Sequence, residues 1–143
     1  MGRLKAGNND SFATVSEPSV KLQLPASSAY LVLARTAVAA MCARLDYPLD
    51  RLEDVKLAVD EACSLLLSDT DPNGQLDIEL APTEAGHLSV QVSSRTLHGK
   101  APKQTSFAWT VLTALVDQVS AGADDGIVSI SLQASRGSTA VAS

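Results

Sequence analysis

The chain has 143 residues, 45% of them hydrophobic and only 3% aromatic, with a formal net charge of −5. That is one domain's length of chain, with a core that Leu, Val, Ala and Ile must fill. The acidic balance speaks against direct binding to nucleic acid, which calls for a basic face. No stretch approaches the roughly 20 apolar residues of a membrane span.

The first 17 residues are polar, lack periodicity and lack the apolar stretch of a signal peptide, so a loose arm is expected over 1–17. "SVKLQLP" (19–25) alternates apolar and polar residues and reads as a half-buried strand closed by Pro25. A helix follows in "SSAYLVLARTAVAAMCARLD", with Ser27 or Ser28 as cap. Tyr30, Ala34, Ala37, Val38, Met41 and Leu45 recur at helical spacing as its core face. "YPLD" breaks it, and Asp50 is a plausible cap for a second helix over about 50–68. The apolar face of that helix is Leu52, Val55, Val59, Ala62, Cys63 and Leu66.

"SDTDPNGQ" is a turn, and the alternating runs 76–82 and 87–94 read as a hairpin. Residues 95–105 form a polar loop, and "SFAWTVLTALVDQVS" (106–120) reads as a third helix, with Phe107 and Trp109 as packing residues. "AGADDG" turns the chain into a last strand over 127–134, and a frayed tail is expected over 135–143. His87, at the start of its strand, is expected at the surface. Cys42 and Cys63 fall inside helical patterns and read as reduced core thiols of a cytoplasmic protein, not as a disulfide or zinc framework. The order β-α-α-β-β-α-β predicts a two-layer α/β sandwich over 18–134, a mostly antiparallel sheet with helices on one face.

"LPASSAYLVLARTAVAAM", "DVKLAVDEACSLLL" and "FAWTVLTALVDQV" stand in an order and spacing that resembles the bacterial anti-sigma factor serine kinases of the GHKL ATPase fold. The likeness covers roughly residues 18–134. It implies a protein that holds an alternative sigma factor away from RNA polymerase and is released by an anti-sigma-factor antagonist. In that family the antagonist is also phosphorylated on a serine with ATP and magnesium, and homodimers are usual.

In the family pattern the second helix carries Glu and, four residues later, Asn, so that base and metal ligand share one helix face. Here the positions are Glu61 and Leu65. Leu offers no oxygen to magnesium, a hard cation. The adenine-recognising Asp corresponds to Ser94, and the glycines that cover the phosphates correspond to Ser106 and Ala108. Three nucleotide elements depart together, which points to a degenerate kinase whose Glu61 is a vestigial base position and which uses no ATP, magnesium or other cofactor. Glu61 reads equally as a solvated helix residue.

Arg95, His98, Lys100 and Lys103 are candidate contacts for an anionic ligand, or simply a solvated loop. On the first helix Arg35 lies off the core stripe beside Val32, Ala39 and Cys42, with Ser28 and Asp46 at the ends. A small-residue strip around one Arg admits a partner helix and lets the guanidinium fork onto a partner acid. Arg35 matches the family position that contacts the sigma factor. The segment 46–54 brings acids to one end of the helix pair, either toward a basic patch on a partner or as helix caps. The expected activity is sequestration of a sigma factor. The alternatives are a working serine-protein kinase and a sensor whose altered pocket binds a small anion.

Overall fold

The computed structural model describes residues 18–137, so the expected arm over 1–17 and most of the expected tail lie outside the described residues. In chain order the elements are β1 (Val20–Pro25), a 3-10 turn (Ser28–Tyr30), α1 (Leu31–Arg44), α2 (Leu49–Leu67), β2 (Gln75–Pro82), β3 (Leu88–Arg95), α3 (Phe107–Leu115), β4 (Gln118–Asp124) and β5 (Ile127–Ala134). The strands form one sheet in the order β1-β2-β3-β5-β4, and every ladder in it is antiparallel.

Alternation along the strands makes the two layers. Leu76, Ile78 and Leu80 of β2, Leu88, Val90 and Val92 of β3, and Val128, Ile130 and Leu132 of β5 are buried beneath the helices. Lys21, Gln23, Asp77, Glu79, Gln91 and Ser131 alternate with them on the opposite, polar face. Onto the apolar side α1 lays Leu31, Ala34, Val38 and Cys42, and α2 lays Val55, Ala58, Val59, Ala62, Cys63 and Leu66. Each fully buried Leu, Ile or Val contributes about 1.5–3 kcal/mol. α2 is the central helix and touches α1, α3, β3 and β5.

Four local expectations need correction. The third helix ends at Leu115, and Gln118–Asp124 is a strand where a helical end and a turn were expected. Leu112, Leu115, Val116 and Val119 continue a helical spacing, and the strand itself is poor in strand-forming residues. Pairing with β5 overrides that local preference. The turn is confined to Asp125 and Gly126, both at positive φ (55° and 83°), as a two-residue hairpin turn whose twist matches its strands requires. Tyr30 is exposed and Leu31 takes its place in the core, because the 3-10 turn at Ser28–Tyr30 shifts the phase of the buried stripe. Cys42 is fully buried and does not belong to the exposed strip around Arg35. Asp50 lies in the first turn of α2 and Pro48 holds the cap position. Ser27 caps the 3-10 turn, accepting from the Ala29 amide, while α1 itself has Tyr30 at its cap position and no side-chain cap.

The two ends of the sandwich are closed differently. At the β3 start, the Tyr47 hydroxyl donates to the Ala134 carbonyl and accepts from the Leu88 amide at 2.9 Å. Burial pushes this phenol up to about 12. Beside it Arg51, only 15% exposed, donates to the Leu115 carbonyl (2.8 Å), the Ser135 carbonyl (2.9 Å) and Asp117 (3.0 Å). One guanidinium thereby joins α2 to the end of α3 and the ends of β4 and β5. Partial burial works to raise Asp117, but the hydrogen bonds from Ser135 and the nearby Arg51 charge outweigh it and hold the carboxyl below its ordinary value. His87, expected at the surface, is half buried near this cluster. The other end, where β3 finishes, carries the candidate pocket.

Candidate functional site

Glu61 and Leu65 sit one turn apart on α2, on the side away from α1. Glu61 is half buried. Leu65 packs against the core and lines a cleft with Ser68, Asp69, Thr96, Lys100 and Pro102. The cleft holds about 160 Å³, well below the roughly 300–1,000 Å³ usual for small-molecule sites.

The hydroxyl and carboxylate groups at this end bond to the protein itself. The Thr70 hydroxyl donates its single proton to the Leu66 carbonyl at 2.6 Å, so the Ser94 hydroxyl, 2.7 Å away, donates to Thr70. Ser94 is thus a buried link between the end of β3 and the end of α2. Asp69 extends the link. Its carbonyl accepts from the Leu97 amide (2.6 Å), one carboxylate oxygen from the His98 amide (3.0 Å), and the other lies 2.6 Å from His98 Nδ1. The bond from the His98 ring, foremost, holds the Asp69 carboxyl below its ordinary range. Thr96 bridges to Thr70 and accepts from the Gly99 amide at 2.8 Å.

Ser106 caps α3, accepting from the Trp109 amide at 3.2 Å. A helix cap needs a side-chain acceptor, whereas a phosphate-covering turn uses glycine to bring its own amides close to the anion. Ala108 is half buried in the first turn, and Trp109 is in the core. Phe107, expected to pack, is 81% exposed.

The four candidate anion contacts are not brought together. Arg95 turns toward the β4–β5 turn and donates to the Asp125 carbonyl at 3.0 Å. His98 is engaged by Asp69, Lys100 lines the cleft, and Lys103 is exposed on the loop. Among the described residues no group of three or more His, Cys, Asp or Glu side chains is placed to hold a metal. With Leu65 at the metal position and Ser94 and Ser106 committed to structural bonds, these residues do not fit magnesium and ATP in the arrangement that the resemblance implies.

A second constellation lies on the side of α2 that faces α1. Arg35 Nη1 is 2.7 Å from Asp60 Oδ1, with the two side chains 41% and 35% exposed. A pair this exposed contributes at most about 1 kcal/mol to folding. Val32, one turn before Arg35 on α1, is half exposed, Ala39 is partly buried and Ser28 is exposed at the helix start, while the half-exposed Leu33 points to another side of the helix. Sequence reasoning placed Arg35 at the surface but missed Asp60. Its signal was the Asp inside "LAVDEA", adjacent to the Glu that drew attention.

Burial pushes the Cys42 thiol up to about 11 and Cys63 up to about 12. Both are free and neither is a thiolate at neutral pH. Among the described residues no helix is long and apolar enough to cross a membrane.

No protein-family model matches the chain. Anti-sigma-F factor RsbW of Mycobacterium tuberculosis, in two strains, is 34% identical to it over 101 residues, which is 71% of this chain and 60% of the relative. Over those 101 residues the chain is similar to an RsbW protein. Serine-protein kinase RsbW of Bacillus subtilis is 29% identical over 68 residues, covering 46% of this chain and 42% of that protein. The chain therefore spans about 60% of the length of the mycobacterial relative. Among solved structures, the RsbU and RsbW domains of Rv1364c from M. tuberculosis match with a TM-score of 0.67 at 18% identity, covering 83% of this chain and 32% of that one. That likeness establishes the fold, an α+β sandwich of the GHKL type. Within this fold, α2 divides two surfaces: the cleft beside Glu61 and Leu65, and the ion bridge to α1.

Proposed function

We propose that the chain is an anti-sigma factor that works by binding. It sequesters an alternative sigma factor through the exposed side of α1 and is displaced by an anti-sigma-factor antagonist. One contrast carries the reading. The cleft end uses its Ser, Thr and Asp side chains on intrachain bonds, while Arg35 stays half exposed beside Val32. The relation to an anti-sigma-F factor supports the choice of partner. The protein acts in the bacterial cytoplasm, where RNA polymerase is found, and touches neither nucleic acid nor membrane directly. A homodimer through β1 is part of the proposal, since β1 is an edge strand paired only with β2 and an unpaired edge is a template for a second copy.

A second reading is favoured by the relation to a serine-protein kinase and by the acid at Glu61: a kinase that phosphorylates the antagonist. The small-anion sensor has Lys100 at the cleft in its favour and the dispersal of Arg95 and His98 onto other partners against it. To test the first reading, the chain is co-expressed with each alternative sigma factor of its own genome, and the complex is assayed for repression of sigma-dependent transcription. A stoichiometric complex that represses without nucleotide is expected. Transfer of labelled phosphate from ATP to an antagonist would place the kinase reading first.

A further inference from the structure

We propose that Asp60 is the positioning residue for Arg35: it holds the guanidinium so that a carboxylate of the sigma factor can dock on the edge left open. The inference rests on the anti-sigma reading above and adds a residue to it.

The geometry is specific. The two side chains come from different helices, and Asp60 takes Nη1 alone, at 2.7 Å. Among the described residues Nε and Nη2 have no partner. Those two nitrogens form the side-on fork that grips a carboxylate with two parallel bonds. An arginine held at one end loses less freedom when a partner takes the other, because its plane is already set. Stability does not explain the pair, since ion bridges this exposed add little to folding. Half-exposed Val32, one turn before Arg35 on the same helix face, gives the partner an apolar contact next to its acid, an arrangement that helps shield a charged contact from water. Asp60 precedes Glu61, so the two acids point about 100° apart around α2. Only the first of them faces α1.

The partner chemistry follows: an acidic side chain flanked by small or apolar residues, presented by a folded segment of the sigma factor. The Arg35 fork that remains consists of donors only, so an acidic group is what it selects.

The test is a double-mutant cycle, using the sigma factor captured by the wild-type chain as the probe. Asp60→Ala is expected to weaken capture about tenfold, and Arg35→Ala by more. Asp60→Asn, whose amide oxygen can still accept from Nη1, is expected to return affinity to within about threefold of wild type. In the Arg35→Ala background Asp60→Ala should cost nothing further, a coupling that a general loss of structure does not produce. Thermal unfolding of each variant checks that the fold is intact. Unchanged or tighter binding by Asp60→Ala, or an equal loss with and without Arg35, overturns the inference while leaving the anti-sigma reading in place. A wild-type chain that captures no sigma factor overturns both.

Discussion

Arg35–Asp60 and His98–Asp69 are pairs of nearly equal length, 2.7 and 2.6 Å, and they differ in what they leave over. In the first, one guanidinium nitrogen is used and a fork of donors faces solvent. In the second, both Asp69 carboxylate oxygens accept from His98, and the neighbouring Thr70, Ser94 and Thr96 hydroxyls are bonded as well. Distance alone would rank the two pairs as equals. Counting the donors that remain separates a surface with a fork to spare, as the proposed docking requires, from an end whose side chains bond within the chain.

The largest expected effect lies outside both pairs and calibrates them. Arg51→Ala removes hydrogen bonds to the Leu115 and Ser135 carbonyls and to Asp117 at a largely buried site. It should destabilise the fold by about 3 kcal/mol in denaturant unfolding, because it leaves two carbonyls without this donor and Asp117 with Ser135 alone. A loss below about 1 kcal/mol would show that this end is not held as described.

Next in size, Arg35→Ala should weaken sigma-factor capture by about tenfold to a hundredfold, some 1.4–2.8 kcal/mol. Its unfolding free energy should change by less than about 1 kcal/mol, since the pair is exposed. Equal losses in binding and in stability would erase the proposed contrast between the two pairs.

Smaller still is the response to acid. Asp69 is held below its ordinary value in the folded chain, chiefly by the His98 ring. A depressed carboxyl stabilises the fold above its unfolded value, near 4, and that contribution is lost as pH falls through the folded value. His98→Ala should therefore lower stability at neutral pH and flatten its decline below about pH 4, with variant and wild type converging in acid once the carboxyl is protonated. An unaltered acid limb would mean that His98 does not set the Asp69 carboxyl.

The smallest expected effect is none. Leu65→Asn should not create binding of Mg·ATP detectable by calorimetry, because Ser94 remains bonded to Thr70, Ser106 remains a helix cap and the cleft remains about 160 Å³. Micromolar affinity in that variant would reduce the deficit to one side chain.

Much of the fold was legible because alternation and helical spacing are strong over long runs. Val59, Ala62, Cys63 and Leu66 on α2, and Val128, Ile130 and Leu132 on β5, lie in the core as their spacing predicts. β4 was not legible by periodicity: its Ser, Ala and Gly residues carry little strand preference, and the helical spacing ran on to Val119. The signal that would have found it is "DG" at 125–126, a two-residue hairpin turn that demands a partner strand on each side. At the candidate site the departures at Leu65, Ser94, Ser106 and Ala108 were readable as residue types. What those residues do instead was not, because the Ser94–Thr70 and Asp69–His98 bonds join positions 24 and 29 apart in sequence. The same holds for Asp60, which meets Arg35 only when α1 and α2 pack.

The most direct test of the central claim is a calorimetric titration of the captured sigma factor into the wild-type chain, with and without Mg·ATP. The account predicts stoichiometric binding with the same affinity in both. Capture that requires Mg·ATP, or tightens more than about tenfold in its presence, would contradict it and restore a working nucleotide site to the centre of the mechanism.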